Sequence, residues 1–322
     1  MTGDGIEGFR RMVRDCLPER MRLGLRPYGQ LLDACHELVR HGMIHEVMPA
    51  LTMLARADVV AQDAKRLLAT CNHLRRTGLL AEAVPLPETL DFLRLPRDTM
   101  ADAAEPDGAL VRSREGAETV LLVFTAPGGN FWISLDLLHQ FLRPFPWHIV
   151  YLRDERACFH LAGLNGLGRD YAGTIEGLRQ LTERLGARTI HCMGGSSGGY
   201  PALRFGLDLE ARSVMVFSAP TTLVEADWYE IYRPLLRPLQ AAAPHMASDL
   251  MPLYAAAAHR PRAILCYGGQ HEIDRDQAVR MQNIPDVELL EIENYERHDT
   301  LSYFAVGRKF DQIFERLTGG PA

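Results

Sequence analysis

Six short apolar runs follow one another from about Leu110 to the end of the chain, and a helical segment such as Tyr171 to Leu185 separates each from the next. The runs are "TVLLVFTAPGG", "WHIVYLRD", "RTIHCMGG", "RSVMVFSAP", "RAILCYGG" and "VELLEIENY". Nearly continuous apolar strands that alternate with helices are typical of a parallel sheet covered on both faces. We therefore predict an α/β fold with a doubly wound, mostly parallel sheet, in which chemistry gathers at the carboxyl ends of the strands.

The N-terminal part differs, because it has helical periodicity only. "CHELVRHGMIHEVMP" (Cys35 to Pro49) matches "CNHLRRTGLLAEAVP" (Cys71 to Pro85) at a spacing of 36 residues. This period is close to that of tetratricopeptide-like helical hairpins, with Gly42 and Gly78 in the turns. We predict a helical, repeat-like segment over residues 1–95 and a second domain over residues 110–322. The helices would either bind a partner protein or a second copy of the chain, or cap the second domain.

Composition limits the partners and cofactors of the chain. Its 322 residues are 47% hydrophobic and carry a net charge of −6, which argues against a nucleic-acid partner. No apolar run is long enough to span a membrane and the N-terminus lacks a signal-like apolar stretch, so we expect a cytoplasmic protein. The six cysteines contain no C-x-x-C pair and no phosphate-binding loop motif is present. We predict neither a metal nor a cofactor.

The run "RTIHCMGG" leads into "SSGGYPALRFG", so two serines stand between two pairs of glycines where a strand gives way to a helix. The pattern G-x-S-x-G fits both Gly194–Gly198 and Gly195–Gly199. Small residues are needed around such a serine because the turn is so sharp that neighbouring backbones nearly touch. The strand–turn–helix setting predicts a nucleophile elbow, a turn that exposes a reactive serine hydroxyl.

"GGSSGGYPAL" resembles the elbow of the α/β-hydrolase family, and the resemblance extends over roughly Leu110 to Leu317. It implies that Ser196 is the nucleophile, with Ser197 as the alternative, and that Ser197 lends its backbone N–H to the oxyanion hole. The second oxyanion donor is implied in "TAPGGNFW", at Gly128 and Gly129. Here the chain departs from the family, because Ala126-Pro127 replaces a His-Gly pair.

A serine nucleophile needs a base and an orienting acid, which this family supplies in the order Ser, Asp or Glu, His. Three histidines come late enough in the chain: His259, His271 and His298. We choose His298 because it follows the last predicted strand. Its neighbour Asp299 cannot easily orient the ring, because adjacent side chains point apart.

The acid should come from the loop after the preceding strand, "AILCYGGQHEIDRDQA". Asp274 is our choice because it lies far enough past the strand end to turn back toward the site. The family's acid often lies nearer the strand end, where this chain has His271. Glu272, Asp276 and Asp227 stay open as alternatives.

Together these residues predict a serine hydrolase that acts on an ester or thioester through an acyl-enzyme on Ser196. An acyltransferase with the same triad is one alternative, and a catalytically silent binding module is another. Residues 221–261, rich in Tyr, Trp and Leu, are longer than a simple connection and predict a lid that sets substrate choice. Phe131 and Trp132 would either line the pocket or belong to the core.

Overall fold

The computed structural model describes residues 108–126, 131–132, 135–224, 229–306 and 309–319, together with residues 43–54 and scattered positions before residue 72. The chain forms two compact units. One contains Met1–Asp98, Asp136–Gln140 and Val306–Arg308, and the other contains Thr99–Leu135, Phe141–Ala305 and Lys309–Ala322. Within the described ranges, no helix has the length and apolar character that a membrane crossing requires.

The second unit is built on a seven-stranded sheet with the order β1-β3-β2-β4-β5-β6-β7. The strands are β1 Ala109–Arg112, β2 Thr119–Phe124, β3 His148–Leu152, β4 Thr189–Gly195, β5 Ser213–Phe217, β6 Arg262–Gly268 and β7 Val287–Ile292. Only β1 is antiparallel to its neighbour, β3, and every other pair is parallel. All six apolar runs are strands, whereas the short edge strand β1 was not predicted.

Nine helices accompany these strands in the described part of the chain. They are α1 Ile44–Leu54, α2 Leu135–Leu142, α3 Tyr171–Arg184, α4 Gly199–Asp208, α5 Tyr229–Ala242, α6 Leu250–Ala256, α7 Glu272–Val279, α8 Thr300–Val306 and α9 Phe310–Thr318. Asp170 caps α3, because its side chain accepts a hydrogen bond from the Gly173 N–H at 2.7 Å. The strands therefore alternate with helices as the sequence predicts.

Helices cover both faces of the sheet. On one face, Leu122 of β2 and Val214 of β5 belong to a continuous apolar core with Leu178 of α3 and Leu203 of α4. On the other face, the Ser213 hydroxyl donates to the Leu317 carbonyl of α9 at 2.8 Å. The aliphatic strands β2, β3 and β5 are almost entirely buried, as expected for strands with helices on both sides. The predicted α/β fold with a doubly wound, mostly parallel sheet is confirmed.

The first unit contains α1, which includes Pro49 and continues beyond it to Leu54. Cys35, Leu38 and Cys71, which belong to the predicted repeat, are fully buried. The turn glycines Gly42 and Gly78 lie outside the described residues. The repeat and the domain bounds 1–95 and 110–322 therefore stay predictions.

Candidate active site

The turn after β4 is the sharpest feature of the candidate site. Strand β4 ends at Gly195, a 3₁₀ turn spans Ser196–Gly198, and α4 begins at Gly199. Ser196 has a φ of 51°, in the left-handed region that non-glycine residues rarely adopt. A strained residue between a strand and a helix is what a nucleophile elbow requires. The turn holds the Ser196 side chain at the carboxyl end of the central strand.

Backbone crowding explains the glycines on either side of the serines. A Cβ added at Gly194 would lie 2.2 Å from the Gly198 carbonyl oxygen, and one added at Gly198 would lie 2.2 Å from the Phe124 carbonyl oxygen. Both approaches are to backbone atoms, which cannot swing away. The end of β2 and the start of α4 can therefore meet at this turn only if these positions lack side chains.

Three predicted residues meet at the elbow. His298 Nε2 lies 2.8 Å from Ser196 Oγ, and His298 Nδ1 lies 2.9 Å and 3.0 Å from the two carboxylate oxygens of Asp274. Asp274 is 3% exposed, whereas His298 is partly open to solvent. Since the carboxylate accepts from Nδ1–H, Nε2 is left to accept the Ser196 proton. This is the arrangement of a Ser-His-Asp triad.

Asp274 lies in the first turn of α7, where unpaired N–H groups favour a negative charge. The residue that caps this helix is His271, whose Nδ1 accepts from the Asp274 N–H at 3.2 Å. Two alternative acids, Glu272 and Asp276, are exposed on the same helix. The third, Asp227, lies outside the described residues.

Asp299 has a different contact set from Asp274. Its Oδ1 accepts from the Tyr295 hydroxyl at 2.9 Å and from Arg297 Nε at 3.0 Å, and its Oδ2 accepts from Arg297 Nη2 at 2.7 Å. Asp299 therefore stabilises the loop that carries His298 instead of orienting the imidazole ring. This agrees with the sequence argument that adjacent side chains point apart.

One cluster of possible metal ligands lies in the described part of the chain. His271, Asp274 and His298 offer ligand atoms that all lie within 4.8 Å of one another. Imidazole nitrogen and carboxylate oxygen are ligands that zinc accepts. The cluster shares the Asp274 carboxylate and the His298 ring with the triad, so a metal ion bound there would compete with the hydrogen bond between them.

The implied oxyanion donors are only partly described. Ser197 is buried and directly follows Ser196 at the start of the 3₁₀ turn, where a backbone N–H has no partner within the turn. Gly128 and Gly129 lie outside the described residues. The role of all three in an oxyanion hole stays a prediction.

Two aromatic residues from the segment after β2 pack against the elbow. A Cβ at Gly195 would lie 2.7 Å from the Phe131 ring and 2.8 Å from the Trp132 ring. Phe131 is buried in the core and contacts the Phe217 ring, with the ring centroids 6.1 Å apart. Trp132 is only half-buried, and its ring packs in a T-shaped arrangement with the His298 ring, with a centroid distance of 5.4 Å. Trp132 is therefore the one of the two that borders the candidate triad.

Tyr232 is a further residue near the elbow, and no sequence motif points to it. This residue lies on α5, is 6% exposed, and lies near Ser196 and Asp274. Burial and the nearby Asp274 carboxylate raise the pKa of Tyr232 above its usual value. The spacing of Tyr232, Leu236 and Leu239, all buried, is the signal that could have found the inward face of this helix.

Several solved structures are similar to this chain at low sequence identity. MenH from S. aureus is 11% identical over 65% of this chain and 97% of that one, with a TM-score of 0.45. The capsule O-acetyltransferase of Neisseria meningitidis serogroup A is 12% identical over 64% and 90%, with a TM-score of 0.47. Carboxyl esterase 2 from Tuber melanosporum is 12% identical over 66% and 82%, with a TM-score of 0.45. No protein-family model and no curated protein sequence matches the chain.

Proposed function

We propose that this protein is a serine hydrolase that cleaves a carboxylic ester or thioester through an acyl-enzyme on Ser196. The observation that carries the proposal is the hydrogen-bonded series from Asp274 through His298 to Ser196, with heavy-atom distances of 2.8–3.0 Å. The strained elbow also supports the proposal. The left-handed backbone of Ser196 costs conformational free energy, and an ordinary connection between a strand and a helix does not require it.

In the first half of the reaction, His298 Nε2 takes the proton from Ser196 Oγ as that oxygen attacks the acyl carbon. The carbonyl oxygen becomes an oxyanion, which the Ser197 N–H would stabilise. The imidazolium then gives its proton to the leaving oxygen or sulfur as the bond from the acyl carbon breaks. The products of this half are an alcohol or thiol and an acyl group esterified to Ser196.

In the second half, His298 takes a proton from water, the water oxygen attacks the acyl-enzyme, and the proton passes to Ser196 Oγ as the carboxylic acid leaves. Asp274 keeps the Nδ1 proton in place throughout and offsets the positive charge that forms on the ring. Its position at the N-terminus of α7 supports a charged carboxylate there.

An acyl acceptor could replace water in the second half without any change in the triad. A hydroxyl or amine would then attack the acyl-enzyme, and the protein would be an acyltransferase. The predicted lid, residues 221–261, contains α5 and α6 and would decide which acceptor enters. A cytoplasmic location, the absence of a nucleic-acid partner, and a role of the N-terminal helices in binding a partner or a second copy remain predictions from the sequence.

A fluorophosphonate probe tests the nucleophile directly. We expect covalent labelling of the wild type and no labelling of Ser196→Ala, together with release of p-nitrophenol from p-nitrophenyl acetate and butyrate by the wild type alone. Product analysis with an added alcohol separates hydrolysis from acyl transfer. A wild type that is neither labelled nor active, beside a control esterase that is both, would favour the silent binding module.

A further inference from the structure

We propose that Ser218 is a positioning residue for the candidate base, because its hydroxyl bond to Thr300 holds the loop of His298 beside the nucleophile. The proposal rests on the proposed function, since it adds a residue to the same site. Ser218 directly follows β5, is 1% exposed and has a φ of 48°. Such a φ is strained for a residue with a side chain, and strained residues are common where a functional site has to be held in place.

Ser218 lies beside Ser196 at the carboxyl edge of the sheet. Strands β4 and β5 are parallel neighbours, and Gly195 is paired with Phe217. The two serines are the next residues along, so the two strands end at the same level, about 4.8 Å apart. Among the described non-glycine residues with a positive φ, these two alone directly follow a strand of the sheet. The candidate nucleophile therefore has a second strained serine next to it, outside the elbow motif.

The hydroxyl of Ser218 connects this edge of the sheet to the segment that carries the base. Its Oγ lies 2.9 Å from Thr300 Oγ1, and both residues are buried. Thr300 begins α8 two residues after His298, and its N–H donates to the His298 carbonyl at 3.1 Å. Ser218 is itself fixed, because its N–H donates to the Cys266 carbonyl of β6 at 2.8 Å. A short series of hydrogen bonds thus leads from the sheet through Ser218 and Thr300 to the base.

His298 lies between two such attachments to the end of the sheet. Before it in the chain, the Tyr295 carbonyl accepts from the Gln270 N–H at 3.1 Å, just past the end of β6. After it, the bond between Ser218 and Thr300 attaches the start of α8 to the end of β5. The base is therefore held from both sides by neighbouring strands, and Ser218 supplies the side that is nearer to the nucleophile.

Loss of the Ser218 hydroxyl should shift the base without unfolding the segment. The ring of Phe304 on α8 packs on the ring of Phe217 with a centroid distance of 5.8 Å, and this contact does not involve the hydroxyl. The buried Thr300 hydroxyl would lose its Ser218 partner, which favours a rearrangement at the start of α8. His298 Nε2 lies 2.8 Å from the nucleophilic oxygen, and a displacement of about 1 Å can lower a rate by about 100-fold.

Ser218→Ala and Thr300→Val each remove one hydroxyl of the pair, and Ser213→Ala is the matched control. Ser213 is the first residue of β5, at the other end of the strand, is also 1% exposed, and donates to the Leu317 carbonyl at 2.8 Å. Turnover of p-nitrophenyl butyrate is divided by the number of sites that a fluorophosphonate titrates, so unfolded molecules do not count. We expect kcat to fall about tenfold in Ser218→Ala and Thr300→Val, with KM within about threefold of wild type. In Ser213→Ala, kcat should stay within about threefold.

Two further variants separate the hydroxyl from stability. Thr300→Ser keeps the hydroxyl and should keep kcat within about threefold of wild type. Ser218→Gly lacks the hydroxyl but adopts the left-handed backbone without strain, so it should unfold at a higher urea concentration than Ser218→Ala and still lose about tenfold in kcat. A Thr300→Ser enzyme as slow as Thr300→Val, or a Ser218→Gly enzyme with wild-type kcat, would contradict the proposed role of the hydroxyl pair.

Combination with His298→Ala shows whether Ser218 acts through the base. Ser218→Ala should add no loss to the residual rate of His298→Ala, because a positioning residue has no effect once the ring that it positions is gone. A further tenfold loss in the double variant, a wild-type kcat in Ser218→Ala, or an equal loss in Ser213→Ala would overturn the proposal. In each of these cases, wild-type turnover and its loss in Ser196→Ala would still support the hydrolase itself. A wild type without turnover would overturn both.

Discussion

The two halves of the candidate triad are built in different ways. The elbow, Gly194–Gly199, is a tight turn in which Gly194 and Gly198 lie against backbone carbonyl oxygens and Gly195 and Gly199 against side chains. The acid–base half consists of side chains brought together across the chain: His298 is 102 residues from Ser196 and 24 residues from Asp274. One half depends on the absence of side chains and the other on their placement. The glycines of the elbow should therefore respond to substitution through stability, and the side chains of the candidate triad through turnover.

Replacing Ser196 with Ala should have the largest effect on turnover. Removing the nucleophile of a triad costs up to about 10⁶-fold in kcat, and we expect a loss on that scale for p-nitrophenyl ester hydrolysis. Ser197→Ala is the matched control, because it keeps the backbone N–H that the oxyanion would need, and it should cost less than about tenfold. If the two variants exchanged these results, Ser197 would be the nucleophile.

Asp274→Asn tests the acid–base half. The neutral amide no longer keeps the proton on His298 Nδ1, so Nε2 is no longer free to accept the Ser196 proton. We expect kcat to fall about 10⁴-fold with the fold intact. Glu272→Gln and Asp276→Asn, on the same helix but exposed, should change kcat by less than about threefold. A large loss in either control beside an active Asp274→Asn would reassign the acid.

The sequence was informative about the elbow for a physical reason. Gly194 and Gly198 lie too close to backbone carbonyl oxygens for any side chain, so the crowded turn leaves glycines around the serines that the sequence shows directly. The acid was harder to predict because Glu272, Asp274 and Asp276 lie within five residues of one another. Their helical geometry decides which one is buried against His298, and that depends on how α7 packs on the sheet.

Tyr232 could not be placed near the site from the sequence, because its proximity to Ser196 brings a helix of the predicted lid to the end of a central strand. A tyrosine at an apolar position of an amphipathic helix is usually a core residue. Edge strand β1 was missed for another reason: with four residues it is too short to show a period. The position of Tyr232 and the edge strand β1 both depend on tertiary packing, which no local sequence pattern encodes.

Gly198→Ala should lower the free energy of unfolding by distorting the elbow. The new methyl group would lie 2.2 Å from the Phe124 carbonyl oxygen, so the turn or the end of β2 has to move. Overpacking of this kind costs about 3 kcal/mol in free energy of unfolding, measurable by urea denaturation. Gly269→Ala is the control, because the atoms nearest to a methyl group there belong to the Glu291 side chain, which can swing away. Equal stability of the two variants would contradict the crowding argument.

His191 makes the stability of the central strand sensitive to acid. It lies on β4, stacks on Trp147 with ring centroids 4.9 Å apart, and contacts the Ser213 hydroxyl at 2.7 Å. Burial, with a smaller effect of the Arg212 charge, lowers the pKa of His191 to about 4, below its ordinary value of 6.5. The unfolded chain therefore binds this proton more tightly than the folded protein does. Stability is fully present above pH 6.5 and is lost as the pH falls toward 4.

We expect His191 alone to contribute about 3 kcal/mol to the fall in free energy of unfolding over this range. In His191→Gln, which keeps a donor for Ser213 and cannot titrate, the fall between pH 6.5 and pH 4 should be smaller by that amount. His259→Gln, at an exposed position, should follow the wild-type curve. Identical pH slopes for wild type and His191→Gln would show that the ring titrates as it does in the unfolded chain.

Zinc should have the smallest of these effects, and it acts on the acid–base half alone. A zinc ion bound by His271, Asp274 and His298 would displace the Nδ1 proton that His298 shares with Asp274, so added Zn²⁺ should slow ester hydrolysis and EDTA should restore it. His271→Asn removes one ligand and keeps a residue that caps α7 well. With each enzyme normalised to its own zinc-free rate, this variant should need about tenfold more Zn²⁺ for half inhibition, and Mg²⁺, which prefers oxygen ligands, should inhibit neither. Equal zinc sensitivity of both enzymes would mean that the ion acts elsewhere and that His271, Asp274 and His298 do not form a zinc site.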